Sequence, residues 1–126
     1  IGQGKDREWS YSEEYGGEIF ERTLPTFAGG DIEVFRTWVM QQIKYPQIAI
    51  QNNITGKVVL QFVVDKEGYI ETDNIKVMQS PNNLLSNEVI RILKISPQWT
   101  PGTINGKPNK VKYTLPITFK FQRDPM

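Results

Sequence analysis

The stretch from Lys110 to Phe121 alternates without a slip. Val111, Tyr113, Leu115, Ile117, Phe119 and Phe121 fall on one side, and Lys110, Lys112, Thr114, Pro116, Thr118 and Lys120 on the other. A period of two residues marks a strand with one buried face. Pro116 narrows its place further, because a proline has no N–H to give to a ladder and is confined to sheet borders. The sequence therefore predicts a final strand at a sheet edge. Its odd-numbered residues bond inward, while Lys112, Thr114, Pro116 and Thr118 direct their backbone groups outward. A long edge with apolar inner residues invites unwanted pairing unless charge and proline blunt it. Lys110, Lys112, Lys120 and Pro116 suit that protective role. The same edge also suits a strand kept open for an incoming peptide.

Upstream the periodicity changes. Asp31, after Gly29-Gly30, is a candidate N-cap for a helix whose apolar face carries Val34, Phe35, Trp38, Val39 and Ile43. That helix is expected to end near Lys44, since Pro46 disfavours the helical conformation at Tyr45. Pro46 itself opens a second short helical piece with Ile48 and Ala49. From Lys57 to Val64 a strand puts Val58, Leu60, Phe62 and Val64 on one face and Lys57, Val59, Gln61 and Val63 on the other. Asp65-Lys66-Glu67-Gly68 makes the turn. The return strand runs from Tyr69 to Gln79, with a change of apolar parity that predicts a bulge near Asp73-Asn74. Ser80-Pro81 reads as the N-cap and first position of another helix, lined by Leu85, Val89, Ile92 and Leu93 and left at Pro97. A turn-rich stretch from Pro97 to Asn109 leads to the last strand. The predicted fold is α+β, with two main helices packed on one face of a small three-stranded antiparallel sheet.

Residues 1–24 read as a linker or partly ordered tail, and residues 25–126 as the domain. The tail mixes Glu13, Glu14, Glu18 and Glu21 with Gly16 and Gly17, and has one short extended piece around Ile19–Thr23. Trp9, Tyr11 and Tyr15 make it more aromatic than a pure spacer. The chain starts at Ile1 and none of its 3 Met stands at the front, so it is expected to be part of a longer protein.

Composition removes most chemistries. In 126 residues there are 0 Cys and 0 His, which excludes disulfides, thiolate nucleophiles, Ser-His-Asp and Cys-His catalysis and His-rich zinc sites. The 15 Lys+Arg against 14 Asp+Glu leave a charge of +1, too little to draw nucleic acid. The face bearing Lys57, Val59, Gln61 and Val63 also lacks the aromatic pair that would stack bases. Asp65 and Glu67 read as a solvated hairpin, Trp99 as a packed aromatic, Pro101-Gly102 as a turn, and Gly29-Gly30-Asp31 lacks the lysine of a phosphate loop. No catalytic residue, metal or cofactor is expected.

Tyr45-Pro46, Ala49, Ile54, Gly56, Val58, Phe62-Val63-Val64, Gly68, Ile75, Val77, Ser80, Trp99, Pro101 and Gly102, in that order, resemble the TonB C-terminal domain family over roughly residues 25–121. Pro25-x-Phe27-x-Gly29-Gly30, Asn105-Gly106-Lys107-Pro108 and Leu115-Pro116-Ile117-Thr118-Phe119 resemble its Bacteroidetes-type members. The resemblance implies a periplasmic, non-enzymatic module on a spacer from an inner-membrane helix, driven by an ExbB/ExbD-type motor. It grips the TonB box of outer-membrane transporters by strand addition and transmits force for active uptake. Carried over by position, the partner-binding residues are Gln42, Tyr45 and Pro46 with Lys110, Lys112, Tyr113, Thr114, Pro116, Thr118 and Lys120. Pro116 departs from the enterobacterial pattern and removes one donor from the docking edge. The alternative is the periplasmic sensing or tethering tail of a membrane-embedded sensor metalloprotease. Pairing of two copies through the edge strand is a further expectation.

Overall fold

A computed structural model describes residues 10–121. Strand β3 (Gly56–Val64) is the centre of one sheet, with β4 (Lys76–Gln79) on one side and β7 (Val111–Phe119) on the other, all antiparallel. The even-numbered residues Val58, Leu60, Phe62 and Val64 are fully buried, as are Leu115 and Ile117 of β7. They share one core with Phe35 and Val39 of helix α1 (Ile32–Gln42) and with Leu85, Val89, Ile92 and Leu93 of helix α3 (Asn83–Lys94). Each such side chain contributes about 1.5–3 kcal/mol by leaving water. Phe27 and Trp99 close one end of the core. Phe35 lies 4.9 Å from Phe27 and 4.7 Å from Trp99, centroid to centroid.

Local signals account for most boundaries. The Asp31 carboxylate accepts from the N–H groups of Glu33 and Val34 and starts α1. Beyond Pro46 the short helix α2 (Gln47–Gln51) buries Ala49. Asp65 Oδ1 accepts from the N–H groups of Glu67 and Tyr69 at 2.9 Å each, which shapes the turn after β3.

Several expectations need correction. The N-cap of α3 is Asn82, whose side chain accepts from Leu84 N–H at 2.8 Å, while Ser80 Oγ donates to the Asn82 carbonyl. Both residue types cap helices, and Asn82 is the one adjacent to the first helical turn. The return strand is not continuous. Ile70 makes an isolated bridge to Val64, residues 72–74 turn out of the sheet, and β4 pairs again from Lys76. The register shift lies not at Asp73-Asn74 but at Met78 of β4, which stands between the pairs Val59–Gln79 and Leu60–Val77. Val34, assigned to the apolar face of α1, is 43% exposed. Gly102 is no turn residue. It starts strand β5 (Gly102–Ile104), and a Cβ there would stand 2.7 Å from the Thr23 carbonyl oxygen.

A whole second sheet was also not expected. Strands β1 (Ser10–Tyr15) and β2 (Glu18–Thr23) form a hairpin that joins β5 (Gly102–Ile104) and β6 (Lys107–Asn109), in the order β1-β2-β5-β6. The piece foreseen around Ile19–Thr23 is thus one strand of four. Residues 10–15, taken for linker, pair with it throughout. Trp9, singled out in the tail, lies outside the described residues.

Candidate functional site: the open edge of β7

Among the described residues β7 pairs with β3 on one side only, from Val111 opposite Val64 to Phe119 opposite Gly56. Pro116 stands opposite Val59. A ladder passing through a residue without an N–H must hold it in a non-bonded pair. The even-numbered residues therefore turn their peptide groups away from β3. Among the described residues, no backbone hydrogen bond outside the strand ladders uses Lys112, Thr114, Thr118 or Lys120. The side chains of Lys112, Thr114, Pro116, Thr118 and Lys120 are exposed, and among the described residues no strand pairs with the outward peptide groups of this edge.

At the far end of β7 a shallow groove of about 420 Å³ runs between the sheet edge and the end of α1. Met40, Ile43 and Tyr45 form one wall, and Thr118 to Phe121 the other. Tyr45 holds this corner together. Its hydroxyl donates to the Ile54 carbonyl, and its ring meets Phe119 edge-on at 5.4 Å and stacks on Phe121 at 5.1 Å. Burial raises the Tyr45 pKa, so the hydroxyl stays a donor at neutral pH.

The bend that carries Ile43 and Tyr45 is tied to α3. Glu88, whose side chain is only 10% exposed, accepts from Lys44 N–H at 2.7 Å and from the Arg91 guanidinium at 2.8 and 2.9 Å. Arg91 also reaches the Gln42 carbonyl at 3.4 Å. Burial works against ionising Glu88. The hydrogen bonds from Arg91 and Lys44, with the charges of both, outweigh it and set the carboxyl pKa below its ordinary value.

The residues singled out from the sequence are not all brought together. Tyr45, Thr118 and Lys120 line the groove. Gln42 ends α1 and Pro46 precedes α2, and neither lines it. Thr114, Pro116 and Lys112 lie along the edge itself. Lys110 is turned away, in an ion pair with Glu71 at 2.6 Å. Tyr113 is half-buried, its ring 5.8 Å from Phe62 and 5.7 Å from Trp99. Burial first, and then the negative charge of neighbouring Tyr11 and Asp31 groups, pushes its pKa up to about 12. Its packing anchors the strand to the core.

Phe119 and Phe121 belong to the edge expected from Lys110 to Phe121, whereas Met40 and Ile43 are groove residues that the sequence reading does not single out as site residues. The available signal was Met40, an apolar residue three positions before Ile43 on a helix whose buried face it does not share. Among the described residues, no group of three or more Asp, Glu, His or Cys is placed to hold a metal, and no helix is long and apolar enough to cross a membrane.

Comparison with known families finds a match. The family described as Gram-negative bacterial TonB protein C-terminal is similar to the chain over residues 41–121. Among curated proteins no sequence matches. The matched span starts at the end of α1, so hairpin β1–β2 and the turn before α1 lie outside it.

Proposed function

The chain belongs to the Gram-negative bacterial TonB C-terminal family, and on that premise we propose that it grips a peptide segment and transmits force. The family consists of periplasmic, non-enzymatic domains concerned with transport through outer-membrane TonB-dependent transporters. The segment gripped is the TonB box of such a transporter. It adds as a strand to β7, and the pull comes from an ExbB/ExbD-type motor through an upstream part of the parent protein anchored in the inner membrane.

The observation that carries this reading is the one-sided pairing of β7. Strand addition draws its affinity from main-chain hydrogen bonds and its selectivity from pockets for alternate side chains. The edge supplies the first through the outward peptide groups of Lys112, Thr114, Thr118 and Lys120. The groove beside Met40, Ile43 and Tyr45 supplies the second. Force pulling along a strand loads these bonds in parallel, which suits a mechanical task.

The test is an NMR titration of the labelled domain with peptides covering the TonB boxes of the source organism's transporters. Amide shifts confined to Lys112–Phe121, Met40, Ile43 and Tyr45 are expected. Shifts centred on β4 instead, or silence across the panel from a folded monomer, would refute the assignment.

A further inference from the structure

At the other end of β7 the chain builds a second hollow, of about 210 Å³. Tyr11 and Arg22 of hairpin β1–β2 and Ile104 of β5 stand on one side, and Lys110, Val111 and Lys112 on the other. The register explains the first wall. Tyr11 is opposite Arg22, and Arg22 opposite Ile104, so the three side chains share one face of the four-stranded sheet.

Two of its three cations are paired, and Lys112 has no ion pair among the described residues. Arg22 is held by Glu13 and Lys110 by Glu71, and the Thr23 and Thr103 hydroxyls bond each other at 2.7 Å. What remains open is the Tyr11 ring, 45% exposed, with the aliphatic surfaces of Ile104 and Val111. The Tyr11 ring and these aliphatic surfaces together suit an apolar side chain, with Lys112 beside it.

The cleft and the Met40–Tyr45 groove flank the two ends of the same free edge, one sharing Val111 and Lys112, the other Thr118 and Phe119. We propose that the cleft takes an apolar side chain from the part of the docked segment that runs past Lys112, which makes hairpin β1–β2 a second grip on the same partner. This rests on the strand-addition reading above. The hairpin wall of the cleft lies outside the family-matched residues 41–121, and the Ile104 and Lys110–Lys112 walls lie inside them.

Two synthetic peptides from one transporter test it, the shorter covering only the box, the longer adding about five residues at each end, enough to reach ~17 Å further. Calorimetry and amide shifts are read on the natural chain and on Tyr11→Ala, a change at a half-exposed ring that leaves the core untouched. The longer peptide is expected to bind about tenfold tighter and to shift Tyr11 and Ile104. Tyr11→Ala should remove that gain and leave the shorter peptide's affinity alone. Equal affinities with shifts that stop at Lys112, or tighter binding by Tyr11→Ala, would overturn the second grip and leave strand addition standing. If neither peptide shifts β7, strand addition itself falls, and the second grip with it.

Discussion

Pro116 faces Val59 across the β3–β7 ladder, and this pairing decides which backbone groups of the last strand look outward. With the proline in a non-bonded position, the inner ladder loses nothing. The outer edge loses one donor, so a docked strand meets carbonyls at Lys112, Thr114, Pro116 and Thr118 but no N–H at Pro116.

Adding prolines at the neighbouring outward positions should close the edge. Thr114→Pro and Thr118→Pro remove donors that the β3 ladder does not use, so far-ultraviolet circular dichroism should be unchanged and stability should move by no more than about 1 kcal/mol. Affinity for a box peptide should fall by at least about tenfold. Unchanged affinity would mean that the peptide binds elsewhere.

The groove makes a separate contribution. Met40 is 49% exposed, so Met40→Glu should alter stability by no more than about 0.5 kcal/mol. A carboxylate on that wall would have to be desolvated under a docked side chain, and peptide binding should weaken by about tenfold. Thermal melts paired with calorimetry separate the two effects.

Glu88 gives the fold an acid-sensitive tie. Its folded pKa is lowered, so the tie contributes in full above the ordinary carboxyl value of 4.5 and is lost as pH falls through the lower folded value. Glu88→Gln should cost about 1–3 kcal/mol at neutral pH. The gap between the two melting temperatures should close as the solution is taken below that ordinary value. A gap independent of pH would show that the charge of Glu88 does not matter.

The turn after β3 has no room for a side chain. Gly68 has φ of +92°, its carbonyl accepts from Trp99 N–H at 2.7 Å, and a Cβ would stand 1.9 Å from the Trp99 carbonyl oxygen. Gly68→Ala should cost about 2–4 kcal/mol by urea unfolding, through the left-handed backbone and the clash together. Trp99 fluorescence should report the loosened core.

The parts legible from the sequence were those with strong local periodicity. β7, β3, the buried face of α3 and the Asp31 cap are all set by neighbours a few residues apart. The second sheet was hidden because its strands β5 and β6 have three residues each, and β5 closes onto β2 from far along the chain, as in Thr23 opposite Thr103. Three residues give no alternation to count. A signal for the hairpin did exist. Gly16-Gly17, both at positive φ, is a two-residue loop of the kind that joins strands. At the site, the edge was readable from Pro116. The groove was not, since Met40 and Phe121 come to opposite walls of it only after α1 has been folded against β7.

The most direct measurement uses the absence of cysteine in this chain, which gives a clean background for disulfide trapping. Thr114→Cys, Thr118→Cys and, on the opposite edge, Val77→Cys are each mixed with box peptides carrying one cysteine at successive positions. Residues paired across strands have Cα atoms about 5.5 Å apart, within disulfide reach. Trapping should occur at Thr114→Cys and Thr118→Cys with every second peptide position, the favoured position moving by four between the two variants. Trapping without that period, or equally at Val77→Cys, would contradict strand addition at β7.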